Sequence, residues 1–135
     1  MSLLDVEAAA ASRSMVVDAG IVDQVVWTSG GNATAACVFS NKTVGGIDFR
    51  TAGSSGSGVV TWSVKYTEGT KAGRCCFLNE TFVTSGHTAS RERCVQLWDV
   101  RNTQSPAKTL TFGPSPSAML PMVDVDSRLL FLASR

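Results

Sequence analysis

The sequence predicts an all-β fold of short antiparallel strands, and three observations support this prediction. Segments rich in β-branched and aromatic residues recur along the chain, beginning with residues 21–27. Turn-forming residues separate these segments, as in the Ser-Asn-Lys of residues 40–42. Within residues 59–66, apolar and polar side chains alternate, which is the period of a half-buried strand. Together they indicate many short strands joined by tight turns.

The other segments fit the same pattern when they are taken in chain order. Residues 7–14 contain an alanine run with helical propensity, but the segment is too short to stand alone and fits a polar turn between strands equally well. The glycine- and serine-rich residues 53–58 are expected to form a flexible connecting loop. The remaining predicted strands are residues 34–39, 43–48, 73–78, 81–85 and 94–98.

An apolar residue followed by aspartate ends a predicted strand three times, at Leu4-Asp5, Ile47-Asp48 and Trp98-Asp99. The aspartates are 43 and 51 residues apart. A spacing of about 40–45 residues is typical of β-propeller blades, and the second gap is that repeat plus a loop. Trp-Asp is the dipeptide that names the WD repeat. In such a blade the apolar residue packs between neighbouring sheets, and the aspartate closes the strand by bonding the backbone of the turn.

Composition argues against several classes of function. The chain has 12 Lys and Arg against 11 Asp and Glu, a net charge of +1, so nothing in its overall charge favours nucleic acid. It contains no apolar run of about 18–20 residues that could span a membrane, and its first residues lack the pattern of a secretory signal. The four cysteines contain no Cys-x-x-Cys pair, so we interpret them as reduced, buried cysteines of a cytosolic protein.

No convincing catalytic constellation is visible. Ser85 or Ser90, His87 and Asp99 could formally supply a nucleophile, a base and a carboxylate, but no nucleophile elbow accompanies them. Residues 53–58 lack the Gly-Lys-Ser/Thr end of a phosphate-binding loop. We therefore expect no enzyme activity, no catalytic residue, no cofactor and no metal. The single histidine is expected to be structural or exposed.

Residues 82–99 resemble a segment of the coronin family, in which Thr-Gly-Phe-Ser-Arg-Met-Ser-Glu-Arg leads into an apolar strand and Leu-Trp-Asp. This chain keeps the glycine as Gly86 and the Glu-Arg pair that precedes the strand, but has His87 in place of the phenylalanine. Further similar segments are residues 27–32, 47–50 and 120–132, in the same order and at similar spacing. In the hydrogen-bond tetrad of strong WD repeats, Trp98 and Ser85 fill two places and the other two are not filled.

The resemblance implies a partial seven-bladed WD-repeat β-propeller, with two complete four-stranded blades and two partial ones. Residues 1–17 would end one blade, 18–66 and 67–111 would each form a blade, and 112–135 would begin the next. Asp5, Asp48, Trp98 and Asp99 would be its structural WD-type positions.

The resemblance also implies that the parent protein binds actin filaments and regulates cytoskeletal organisation by surface recognition, in the cytoplasm. Arg91-Glu92-Arg93 forms a compact charged loop in this interpretation. Such a loop is either a solvated turn with local ion pairing or a contact patch for an acidic partner. Two alternatives remain: a general WD-repeat scaffold for another protein partner, and a small stand-alone β-sandwich enzyme or binding domain.

Overall fold

The computed structural model describes residues 2–5, 10–14, 16, 20–28, 34–50, 60–69, 71 and 73–134, the first two ranges by their backbone alone. It is all-β in these residues, and the described part of the chain contains no helix that could span a lipid bilayer. The twelve strands are β1 Ser2–Asp5, β2 Ala10–Ser14, β3 Val22–Trp27, β4 Thr34–Phe39, β5 Thr43–Asp48, β6 Val60–Lys65, β7 Arg74–Leu78, β8 Thr81–His87, β9 Glu92–Asp99, β10 Lys108–Pro114, β11 Leu120–Asp124 and β12 Leu129–Ala133.

The strands form two four-stranded sheets and two two-stranded sheets. Strands β3 to β6 and strands β7 to β10 each make an antiparallel sheet in chain order, while β1 pairs with β2 and β11 with β12. The first strands of consecutive sheets are neighbours, since β3 lies against β7 and β7 against β11. This arrangement, in which chain-order sheets meet through their first strands, is that of propeller blades and confirms the predicted fold class. It contradicts the β-sandwich alternative, whose strands would cross between two facing sheets.

The sequence-based strand predictions differ from the structure at two hairpins, and none of the individually predicted strands covers β10. Strand β8 continues to His87 and β9 begins at Glu92, because Gly86 pairs with Cys94 and His87 with Arg93. The prediction of a charged loop at residues 91–93 is therefore wrong for Glu92 and Arg93, which belong to β9. Residues 10–14 form strand β2 rather than a helix, since pairing with β1 satisfies their backbone.

The main core lies between the two four-stranded sheets and is dominated by stacked aromatic rings. Trp62 of β6 stacks on Phe82 of β8 with ring centroids 5.0 Å apart, and Phe82 stacks on Trp98 of β9 at 5.9 Å. Phe77 packs against Phe82 at 5.3 Å. Gly46 of β5 makes room for this stack, because a Cβ there would overlap the Trp62 indole. The apolar side chains that the two sheets contribute are thus buried in one interface.

A smaller core joins the second sheet to β11 and β12. Val83, Val95 and Met119 are buried there, with Phe112 and Leu132 packed against them. The opposite faces of β11 and β12 stay open, and Met122 and Phe131 are each more than half exposed.

Candidate protein-interaction site

Trp98 anchors the interface between the two four-stranded sheets. Its side chain is buried, and its indole Nε1–H donates to Thr84 Oγ1 at 2.9 Å. Phe82 lies parallel to it, with an angle of 5° between the ring planes. The residue therefore combines dispersion and stacking with one directed hydrogen bond inside the core.

The hydroxyl that meets Trp98 comes from Thr84, so the expectation that Ser85 fills this place is wrong. Phe82 is paired with Trp98 and Thr84 with Gln96, which puts all four side chains on one face of the sheet. Ser85 lies on the opposite face, where its Oγ donates to the Met119 carbonyl at 2.7 Å. Because side chains alternate between the two faces along β8, Thr84 faces Trp98 and Ser85 faces the other way.

Two of the three strand-ending aspartates close a turn through their own carboxylates. Asp48 Oδ1 accepts from the Arg50 backbone N–H at 2.8 Å, and Asp99 Oδ1 accepts from the Arg101 backbone N–H at 2.8 Å. The Arg50 guanidinium also pairs with Asp48 at 2.7 Å. These hydrogen bonds hold the pKa of Asp48 below its ordinary value.

Asp5 stands at the corresponding end of β1, opposite Ala10 in the backbone register. Its side chain lies outside the described part of the structure, so the predicted turn-closing contact at this position stays a prediction.

The three residues of the charged triplet, Arg91-Glu92-Arg93, lie in three different environments. Arg91 is exposed, has a left-handed φ of 66° and takes part in none of the ion pairs among the described residues. Glu92 accepts a hydrogen bond from Ser90 Oγ at 3.2 Å. Arg93 is half-buried, and it donates to the Gly113 carbonyl at 3.2 Å and to Ser134 Oγ at 2.9 Å. Arg93 thus ties β9 to β10 and β12, while Arg91 is available to a partner.

A pocket of about 620 Å³ opens beside Arg91. It lies where three connections meet, namely the segment after β6, the β8–β9 turn and the segment after β10. Charged, apolar and imidazole groups all contribute to its wall, chiefly Glu68, Lys71, His87, Arg91, Pro114 and Pro116.

His87 is the buried centre of this region. Its ring Nε2 lies 3.1 Å from the Ser115 carbonyl oxygen, and its backbone N–H donates to Thr67 Oγ1 at 3.0 Å. The Thr67 hydroxyl donates in turn to the His87 carbonyl at 2.6 Å. Ring Nδ1 is buried and has no hydrogen-bond partner in the part of the chain that the structure describes. The sequence offered one signal for this position, the histidine that replaces the phenylalanine of the resembling family, but nothing in it pointed to residue 115.

The formal catalytic set does not assemble. Ser85 Oγ contacts the Met119 carbonyl, His87 Nε2 contacts the Ser115 carbonyl, and Asp99 caps its own turn. Ser90 Oγ is 2.8 Å from Thr88 Oγ1. Each group is engaged with a different neighbour, so no nucleophile–base pair is formed among them.

The four cysteines are free thiols, and three of them are buried. Burial raises the pKa of Cys37 and Cys76 to about 11 and that of Cys75 to about 12. The described residues contain no cluster of His, Cys, Asp and Glu that could hold a metal ion. These thiols pack as small apolar side chains and are protonated at neutral pH.

The fold and these contacts define a class of protein: a segment of a WD-repeat β-propeller, with an aromatic inter-blade core and aspartate-capped strand ends. No family model matches the chain. Coronin-7 of Rattus norvegicus is 38% identical over 58 residues, which is 43% of this chain and 6% of that protein's length. Coronin-7 of Bos taurus is 41% identical over 56 residues, 42% of this chain and 6% of that protein.

A solved structure supports the same fold. The crystal structure of the WD40 domain from Toxoplasma gondii coronin matches with a TM-score of 0.72 at 23% identity, over 82% of this chain and 28% of that chain. The resemblance inferred from the residues is confirmed, and the chain is a coronin-like WD-repeat segment. It matches only a small part of the length of these coronin-7 relatives.

Proposed function

We propose that this chain belongs to a protein that binds actin filaments and organises the cytoskeleton through its propeller surface. The observation that carries the proposal is the coronin-like segment itself, folded as WD-type sheets around Trp98. The resemblance to coronins supplies the actin partner, and the protein would act in the cytoplasm in association with the cytoskeleton. Recognition would occur between surfaces, with no bond chemistry, nucleic acid, cofactor or metal.

The same proposal assigns the sheets to blades. Residues 1–17 end one blade, 18–66 and 67–111 form complete blades, and 112–135 begin another. The last strand of the second complete sheet, β10, runs to Pro114 and so passes the boundary at 111 by a few residues. Arg91 and Glu92 are the exposed members of the proposed contact patch. Glu92 accepts a hydrogen bond within the turn, and Arg93 holds the turn against β10.

Co-sedimentation with actin filaments tests the proposal. We expect the chain to pellet with filaments in a saturable and salt-sensitive way, because exposed cations on a rigid surface attract an acidic partner. A chain that stays in the supernatant at every filament concentration, while it unfolds cooperatively in urea, would refute actin binding. If it then captures a different protein partner through the same surface, the general WD-repeat scaffold is the correct function.

A further inference from the structure

The pocket beside Arg91 carries an excess of positive charge. Lys71 and Arg91 supply two cations, and Glu68 supplies one carboxylate. Lys71 Nζ donates a hydrogen bond to the Pro116 carbonyl oxygen, whereas the Arg91 guanidinium makes no ion pair among the described residues. Paired donors on Arg and a point charge on Lys favour a ligand that carries carboxylates.

The buried imidazole adds a second requirement for the ligand. A carbonyl oxygen only accepts hydrogen bonds, so His87 Nε2 must donate to the Ser115 carbonyl at 3.1 Å. In the neutral ring, Nδ1 is then an acceptor, and it has no hydrogen-bond partner among the described residues although His87 is only 4% exposed. A buried acceptor without a donor is desolvated without compensation, and a ligand N–H or O–H would supply the missing hydrogen bond.

The prolines give the same pocket an apolar and rigid wall. Pro114 and Pro116 flank Ser115 in the sequence, and Ala89 also lines the pocket. The volume of about 620 Å³ falls within the roughly 300–1,000 Å³ that is usual for ligand sites. A ligand for this pocket therefore needs carboxylates, a hydrogen-bond donor and some apolar surface together.

We propose that this pocket binds an acidic, extended peptide segment of a partner protein. Its carboxylates contact Arg91 and Lys71, its stem packs on Pro114 and Pro116, and a backbone N–H donates to His87 Nδ1 after a small rotation of the imidazole. An acidic peptide combines all three features in a few residues. A fully ionised phosphate monoester brings no donor for Nδ1. The inference goes beyond actin binding and does not depend on it.

Fluorescence anisotropy tests the site directly. The probe is a fluorescein-labelled octapeptide with four glutamates, and the control probe carries four glutamines instead. We expect saturable binding of the acidic probe, weakened by added salt, and at least about threefold weaker binding of the glutamine probe, since glutamine cannot form ion pairs with Arg91 and Lys71.

Two matched variants locate the binding. Arg91→Gly removes the cation at a φ of 66°, and Arg128→Gly makes the same change at a φ of 57° in the distant β11–β12 turn. Glycine suits both backbones, so both variants should fold. We expect Arg91→Gly to weaken binding of the acidic probe at least about threefold and Arg128→Gly to leave it unchanged.

Other outcomes would overturn the site. Equal effects of the two variants would mean that only net charge attracts the peptide, and equal affinity for the two probes would mean that its carboxylates make no contribution to binding. Inorganic phosphate that displaces the probe as well as unlabelled peptide does would show a simple anion site. A chain that binds the acidic probe through Arg91 but fails to pellet with actin loses the actin proposal and keeps this one.

Discussion

The hydrogen bond from Trp98 to Thr84 gives the sharpest energetic prediction. Both side chains are almost fully buried, at 4% and 1% exposed, and the donor–acceptor distance is 2.9 Å. Thr84→Val keeps the volume of the side chain but leaves the indole N–H without an acceptor. We expect a loss of about 1–3 kcal/mol in the free energy of unfolding, because a buried donor is desolvated without compensation.

A double-mutant cycle isolates the interaction from the loss of packing. Trp98→Phe keeps an aromatic ring beside Phe82 but removes the N–H. In the double variant with Thr84→Val both partners are gone, so we expect the combined loss to be smaller than the sum of the single losses by about 1 kcal/mol. Urea unfolding followed by far-ultraviolet circular dichroism measures all four proteins.

Ser85 provides the control for this cycle. Ser85→Ala removes a buried hydrogen bond to the Met119 carbonyl, so it should also lower the free energy of unfolding. This bond lies on the face of the sheet opposite Trp98. Its loss should add to that of Trp98→Phe within about 0.5 kcal/mol. Coupling of Trp98 to Ser85, with none to Thr84, would refute the register on which the description of this interface depends.

Three further predictions concern other parts of the inter-blade contact and the turn that Asp48 closes after β5. Gln24→Ala removes two bonds between its side-chain amide and the backbone of β7, at 3.2 and 2.9 Å, and should lower the urea midpoint by an amount equivalent to about 1–3 kcal/mol; an unchanged midpoint would mean that the bonds are absent in solution. Gly46→Ala should lower the melting temperature because its Cβ would overlap the Trp62 indole, while Gly113→Ala, which meets open space, should cost far less. The lowered pKa of Asp48 means that its contribution to stability is present above the ordinary value of 3.8 and is lost as pH falls through the lower folded value; urea midpoints between about pH 6 and pH 3 should therefore fall more for the wild type than for Asp48→Asn, and parallel curves would contradict this.

The sequence predicted the strands well because local pattern decides them. Alternating apolar residues and turn residues mark β5 and β6 directly. The capping aspartates could also be anticipated, since Asp48 bonds only two residues along the chain. Features that depend on register were harder to predict. Ser85 and Thr84 carry equivalent hydroxyls, and only the pairing of β8 with β9 shows which one faces Trp98.

The pocket could not be predicted from the sequence for a related reason. Its wall combines three connections, and His87 meets Ser115 across 28 residues of chain. No local motif encodes that contact, nor the absence of a partner at Nδ1 among the described residues.

The charged triplet Arg91-Glu92-Arg93 showed the opposite problem. Its residues are adjacent in sequence, yet Arg91 lines the pocket while Arg93 bonds to Gly113, because Arg91 lies in the turn with a left-handed φ of 66° and Arg93 lies in β9.

The central claim is that consecutive four-stranded sheets meet through their first strands, as blades do. A nuclear Overhauser measurement between the Gln24 side-chain amide and the Cys75 backbone N–H tests it most directly, because Cys75 N donates to Gln24 Oε1 at 2.9 Å. We expect a clear cross-peak joining β3 to β7, which no pairing within either sheet could produce. Assigned spectra that contain the pairings inside both sheets but no cross-peak between these two residues would contradict it.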